Sequence, residues 1–112
     1  MKLKIQKIYD QGSGKINEDE LLINKNLFAV FDGATSLVGY TDKKGQTGGR
    51  IAARIAKSTF SENSGSLKNL AIEANKKIRE TMGKHGININ HKEKIWSVGF
   101  AAVRFKKREI EY

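Results

Sequence analysis

Apolar residues fall in short runs over the first third of the chain and recur at helical spacing through its middle. Leu3 and Ile5 alternate with lysines, so 2–9 is predicted as a first strand, ended by the turn residues Gly12-Ser13-Gly14. Two apolar runs follow, Leu21–Ile23 and Leu27–Phe31, around Asn24-Lys25-Asn26, a pattern that predicts a β-hairpin. The stretch 33–49 is rich in Gly, Thr, Ser and Asp and reads as a long loop. Ile51, Ala52, Ile55, Ala56 and Thr59 or Phe60 predict a helix over about 48–61, with Thr47 or Gly48 as its cap. Leu67, Leu70, Ala71, Ala74, Ile78 and Met82 make one stripe of a second helix, capped by Ser66 and stopped at Gly83. A strand at 95–105, a turn at 106–108 and the start of another strand complete an α+β pattern with antiparallel sheet and neighbouring helices.

The hairpin's register follows from its turn. If Asn24 opposes Leu27, then Ile23 faces Phe28, Leu21 faces Val30 and Asp19 faces Asp32. Alternation puts Asp19, Leu21, Ile23, Phe28, Val30 and Asp32 on one face, and Glu20, Leu22, Leu27, Ala29 and Phe31 on the other. Both faces are apolar along most of their length, so the hairpin calls for cover on both sides. Two carboxylates then sit opposite each other at one end, where like charges repel and a shared proton or bound cation gives relief. Oxygen ligands of this kind suit Mg²⁺ or Mn²⁺ rather than Zn²⁺. Glu18 falls on the opposite face of a regular strand and needs a twist or bulge to join them.

Composition narrows the class. The 112 residues suit one domain, and the absence of cysteine excludes a disulfide framework or a thiolate site. No apolar run approaches the ~18 residues of a membrane span, and the basic start lacks a signal peptide's apolar stretch, which makes a cytoplasmic, membrane-free protein the default expectation. The 21 Lys and Arg against 12 Asp and Glu give +9, which invites a nucleic-acid reading. The charge is divided as +3 in the first half and +6 in the second, without a dense cluster beyond Lys106-Lys107-Arg108, as on a solvated surface. All four aspartates lie at or before Asp42.

Asn17-Glu18-Asp19 followed by the run Leu27-Phe28-Ala29-Val30-Phe31-Asp32-Gly33 resembles the opening of the metal-dependent protein phosphatases of the 2C (PPM) family. Thr47-Gly48-Gly49-Arg50 leading into a helix, a second helix and a strand from Trp96 continue the likeness across the chain in the right order. The resemblance implies an N-terminal portion, here 1–112, of a four-layer α-β-β-α sandwich with a site for two metal ions, Mg²⁺ or Mn²⁺. It implies that Asp32 bridges the ions, that Gly33 offers its carbonyl, that Glu18 holds one ion and that Asp19 holds a water on the metal. The implied substrates are phosphoserine and phosphothreonine proteins, and the implied chemistry is water attack on phosphorus.

Three departures from the family pattern bear on activity. Many members carry His after D-G, where this chain has Ala34; the usual phosphate-binding Arg is replaced by Gly14, with Lys15 one place away as a substitute. The later aspartates of the family have no counterpart after Asp42, so a fragment with little activity of its own, an exposed apolar face and self-association are expected. A non-catalytic, phosphatase-like regulatory domain is the alternative. An RNA-binding module is a lesser one: Val98-Gly99-Phe100-Ala101-Ala102-Val103-Arg104-Phe105 approaches the octapeptide of the RNA-recognition motif, but lacks its base at Val98 and its aromatic at Ala102. The segment 45–50 lacks the Lys-Ser/Thr ending of a P-loop.

Overall fold

The computed structural model describes residues 2–112. Four strands, β1 (Asp19–Asn24), β2 (Leu27–Ala34), β3 (Ser97–Phe105) and β4 (Ile110–Glu111), form one antiparallel sheet in sequence order. Two consecutive helices, α1 (Gly48–Ser61) and α2 (Leu67–Lys84), lie between β2 and β3. The protein is therefore α+β, with both helices in a single connection rather than separated by two strands as the RNA-recognition motif requires.

β1 and β2 pair as the turn predicts: Asn24 with Leu27, Leu21 with Val30, and Asp19 with Asp32. Lys25 takes the positive φ of 55° at the turn. Asn26 ties this turn to the end of β3, accepting from the Phe105 N–H at 2.9 Å and donating to the Phe105 carbonyl at 2.7 Å.

Only one face of the sheet is covered. Leu22, Leu27, Ala29 and Phe31 pack on Ala53, Ala56 and Phe60 of α1 and on Leu67, Leu70 and Ala74 of α2. Alanines at the contact let α1 approach closely, Phe31 and Phe60 fill the space between, and the half-exposed Phe100 borders them. Phe100 lies 6.3 Å from Phe31 and 5.1 Å from Phe60, ring centre to ring centre, so it serves this packing. A second cluster joins Ala52, Ile78, Met82 and Trp96, with the Trp96 indole against Gly48. The other face carries Leu21, Ile23, Phe28, Val30, Ala101, Val103, Phe105 and Ile110, with Val30 54 % and Ile110 56 % exposed. The two-sided apolar hairpin thus has its cover on the helix side, and its other face is the exposed apolar face expected of this chain.

The helix caps follow the sequence. Thr47 accepts from the Arg50 N–H at 3.2 Å and Ser66 from the Asn69 N–H at 3.0 Å. The stop of α2 differs from expectation. Gly83 lies inside the helix, which runs to Lys84, and Gly86 takes the left-handed turn at φ 74°. A single helical glycine costs only about 1 kcal/mol relative to Ala and does not stop a helix that continues to bury Met82. The segment 2–9 also differs: it forms no strand and is exposed throughout. Alternation gives it a strand's side-chain pattern, but a strand also needs a backbone partner, and none pairs with it among the described residues.

At the far edge, Glu111 of β4 accepts from the Leu67 N–H at the start of α2 (2.7 Å) and pairs with the buried Arg104 at 3.0 Å. These bonds join the shortest strand to the helix layer. Among the described residues no helix is long and apolar enough to cross a membrane.

Candidate functional site

Asp19 begins β1 and Asp32 stands near the end of β2, directly across from it. Both point to the open face, and on the other side Asp32 is opposite Gly99 of β3. Gly99 has open space where a side chain would project, so nothing rises beside Asp32 from that strand. The Asp19 N–H donates to Asn17 Oδ1 at 2.9 Å, and the Asp19 carbonyl accepts from the Tyr9 hydroxyl at 2.5 Å. Both backbone groups of Asp19 are thus satisfied by side chains away from β2. That marks Asp19–Asp32 as a non-hydrogen-bonded cross-strand pair, the kind in which facing side chains approach more closely.

The electrostatics follow from that approach. Partial desolvation, a hydrogen bond with the Asp32 carboxyl, the Asp32 charge and the Glu18 charge push the Asp19 carboxyl above its ordinary value of 3.8. A cavity of about 500 Å³ opens over the pair, lined among others by Ile8, Tyr9, Asp10, Leu21, Val30 and Phe100.

Glu18 immediately precedes β1 and is turned away from this pair. Its carboxylate accepts from Thr35 Oγ1 at 2.9 Å to each oxygen and from Thr47 Oγ1 at 2.5 Å. Thr47 is itself the α1 cap, so the negative charge of Glu18 sits near the positive end of the helix through a shared hydroxyl. Arg50 adds a further tie, donating to the Asn17 carbonyl at 3.4 Å. Neither threonine stood out in the sequence as a partner of Glu18. They are 17 and 29 residues away, and only the fold brings them together.

Gly33 locks the junction. Its N–H donates to the Glu18 carbonyl at 3.2 Å, and a Cβ there would overlap the Gly49 and Glu18 carbonyls. Gly49 is equally confined, with Ala34 backbone atoms at 2.9–3.0 Å from where its Cβ would lie. The D-G and G-G pairs are thus the two sides of one close backbone approach between β2 and the first turn of α1.

The structure brings Asp19 and Asp32 together, with Gly33 next in the chain, while the Glu18 carboxylate is taken up by Thr35 and Thr47. Lys15 is exposed in the turn before β1. Among the described residues no group of three or more His, Cys, Asp or Glu side chains is placed to hold one metal ion. The opposed aspartates offer the kind of oxygen ligands that could hold a hard divalent cation. Asp42, the fourth aspartate, holds its own loop: its Oδ1 accepts from the N–H groups of Lys44 and Gln46 at 2.8 Å. These bonds, the one from Gln46 foremost, hold its carboxyl below the ordinary range. Comparison with protein-family models, curated proteins and solved structures finds no match for this chain.

Proposed function

We propose that the chain carries the metal-binding end of a 2C-type protein phosphatase, a Mg²⁺- or Mn²⁺-dependent hydrolase of phosphoserine and phosphothreonine proteins. The observation that carries this reading is the cross-strand pair Asp19–Asp32 at the open end of an otherwise apolar face. Such a pair is destabilising unless a proton or cation lies between the carboxylates. Asp32 and Asp19 are the residues that would hold the ion, with the Gly33 carbonyl next in the chain. A bound divalent ion makes water more acidic and neutralises phosphate oxygens during in-line attack.

The open apolar face is also what one layer of a two-sheet sandwich presents to the other. The second reading, a domain that binds cation and phosphate without turnover, is favoured by Ala34. No titratable side chain follows Gly33 to protonate a serine leaving group.

Thermal unfolding with added Mn²⁺ or Mg²⁺ tests the cation site. Free ion at ten times the Kd should stabilise the protein by about 1.4 kcal/mol, and Asp32→Asn should remove the effect. An unchanged Tm at millimolar Mn²⁺ would refute both readings.

A further inference from the structure

β1 is an edge strand, and at its first residue the outward carbonyl has no neighbouring strand to bond. Tyr9 takes that place: its hydroxyl donates to the Asp19 carbonyl at 2.5 Å. This is the only hydrogen bond that joins residues 2–10 to the sheet among the described residues. Tyr9 also borders two separate hollows, one over the acid pair and one along Glu20–Ile23 and Lys57. Beyond it, Ile8 and Asp10 complete the wall around Asp19 and Asp32.

The Asp19 backbone is consequently held at two points by side chains, Asn17 on its N–H and Tyr9 on its carbonyl. The direction of the Asp19 Cβ, and with it the approach of its carboxylate to Asp32, depends on that backbone orientation.

We infer that Tyr9 is a positioning residue for the cation site: by bonding the Asp19 carbonyl it holds the Asp19 carboxylate toward Asp32 and fixes the 8–10 segment as the site's wall. This rests on the metal-site reading above. A single hydrogen bond of ordinary net strength corresponds to about a three- to ten-fold change in an equilibrium constant. Tyr9→Phe keeps the ring and removes only the hydroxyl.

The experiment measures Mn²⁺ affinity by calorimetry and metal-free Tm for the wild type, Tyr9→Phe, Asp32→Asn and Leu3→Ser. Leu3 lies in the same segment, is exposed and borders neither hollow, so its replacement should change neither quantity. Tyr9→Phe should bind Mn²⁺ about three- to ten-fold more weakly at an unchanged metal-free Tm, while Asp32→Asn abolishes binding. Wild-type affinity in Tyr9→Phe, with binding lost in Asp32→Asn, overturns the role of Tyr9 and leaves the metal site standing. A lower metal-free Tm with unchanged affinity assigns Tyr9 to the fold alone and also overturns it. Equal weakening in Leu3→Ser would move the effect from the hydroxyl to the segment and overturn it likewise. If the wild type itself binds no Mn²⁺, the metal-site reading fails and the inference fails with it.

Discussion

Replacing Gly33 by alanine tests how closely β2 and α1 meet beside the acid pair. The new Cβ would lie within van der Waals overlap of the Gly49 carbonyl carbon and oxygen, and 2.7 Å from the Glu18 carbonyl oxygen. All three obstacles are backbone atoms, so no side-chain rotation relieves the clash. Either the first turn of α1 or the start of β1 has to move, and each is pinned by the Glu18–Thr47 and Gly33–Glu18 hydrogen bonds. Overpacking a close contact costs about 1–3 kcal/mol, and a backbone obstacle places Gly33→Ala at about 2–3 kcal/mol. At this chain length that lowers Tm by about 8–12 °C. Gly99→Ala is the matched control, because a Cβ there meets nothing within 4 Å and a strand glycine is a weak point in the unfolded-state balance. It should be neutral or stabilise by up to about 1 kcal/mol. Urea unfolding followed by circular dichroism, with the slopes compared, reads both effects. A Gly33→Ala midpoint at or above that of the wild type would show that the approach is looser than described.

Phe60 is fully buried between Phe31 and Phe100, and Phe60→Ala should cost about 3–5 kcal/mol in urea unfolding, against less than about 0.5 kcal/mol for the exposed Ile72→Ala. The pH dependence of the same midpoint tests the acid pair. Because the folded state raises the Asp19 carboxyl above 3.8, Asp19 contributes stability below that value and loses it as pH climbs through its folded pKa. The wild type should therefore lose stability relative to Asp32→Asn from mildly acidic to neutral pH, and parallel curves would contradict the coupling. The lowered carboxyls of Asp42, Glu93 and Glu111 act in the opposite sense, with their contributions present above the ordinary range and lost in acid.

Much of this architecture is written locally. A two-residue turn and strict alternation were enough to place Asp19 opposite Asp32, because the length of a hairpin's turn fixes which residues face each other along its strands. The bounds of α1 and both helix caps were legible for the same reason, since each depends on residues within one turn. The end of α2 was not, because Gly83 keeps its place in a helix whose last turn still packs Met82. Nor was the conformation of 2–9, whose alternating side chains predict a strand while the backbone pairs with nothing. The surroundings of Glu18 lay furthest from view. Its threonine partners come from the long loop after β2, and nothing in their local sequence marks them as carboxylate donors.

The two strand pairings flanking Asp32 differ greatly in what they ask of the folding chain. β1 meets β2 across a two-residue turn, whereas β2 meets β3 only after both helices have intervened, with Leu27 opposite Arg104 and Ala34 opposite Ser97. Loop closure over such separations carries an entropic cost that the hairpin avoids, and distant pairings of this kind slow folding. The acid pair is therefore assembled by the fast, local event and Gly99 is brought beside it by the slow one. Electrostatic repulsion at Asp19 and Asp32 is met early, in a hairpin that has yet to gain its cover of helices.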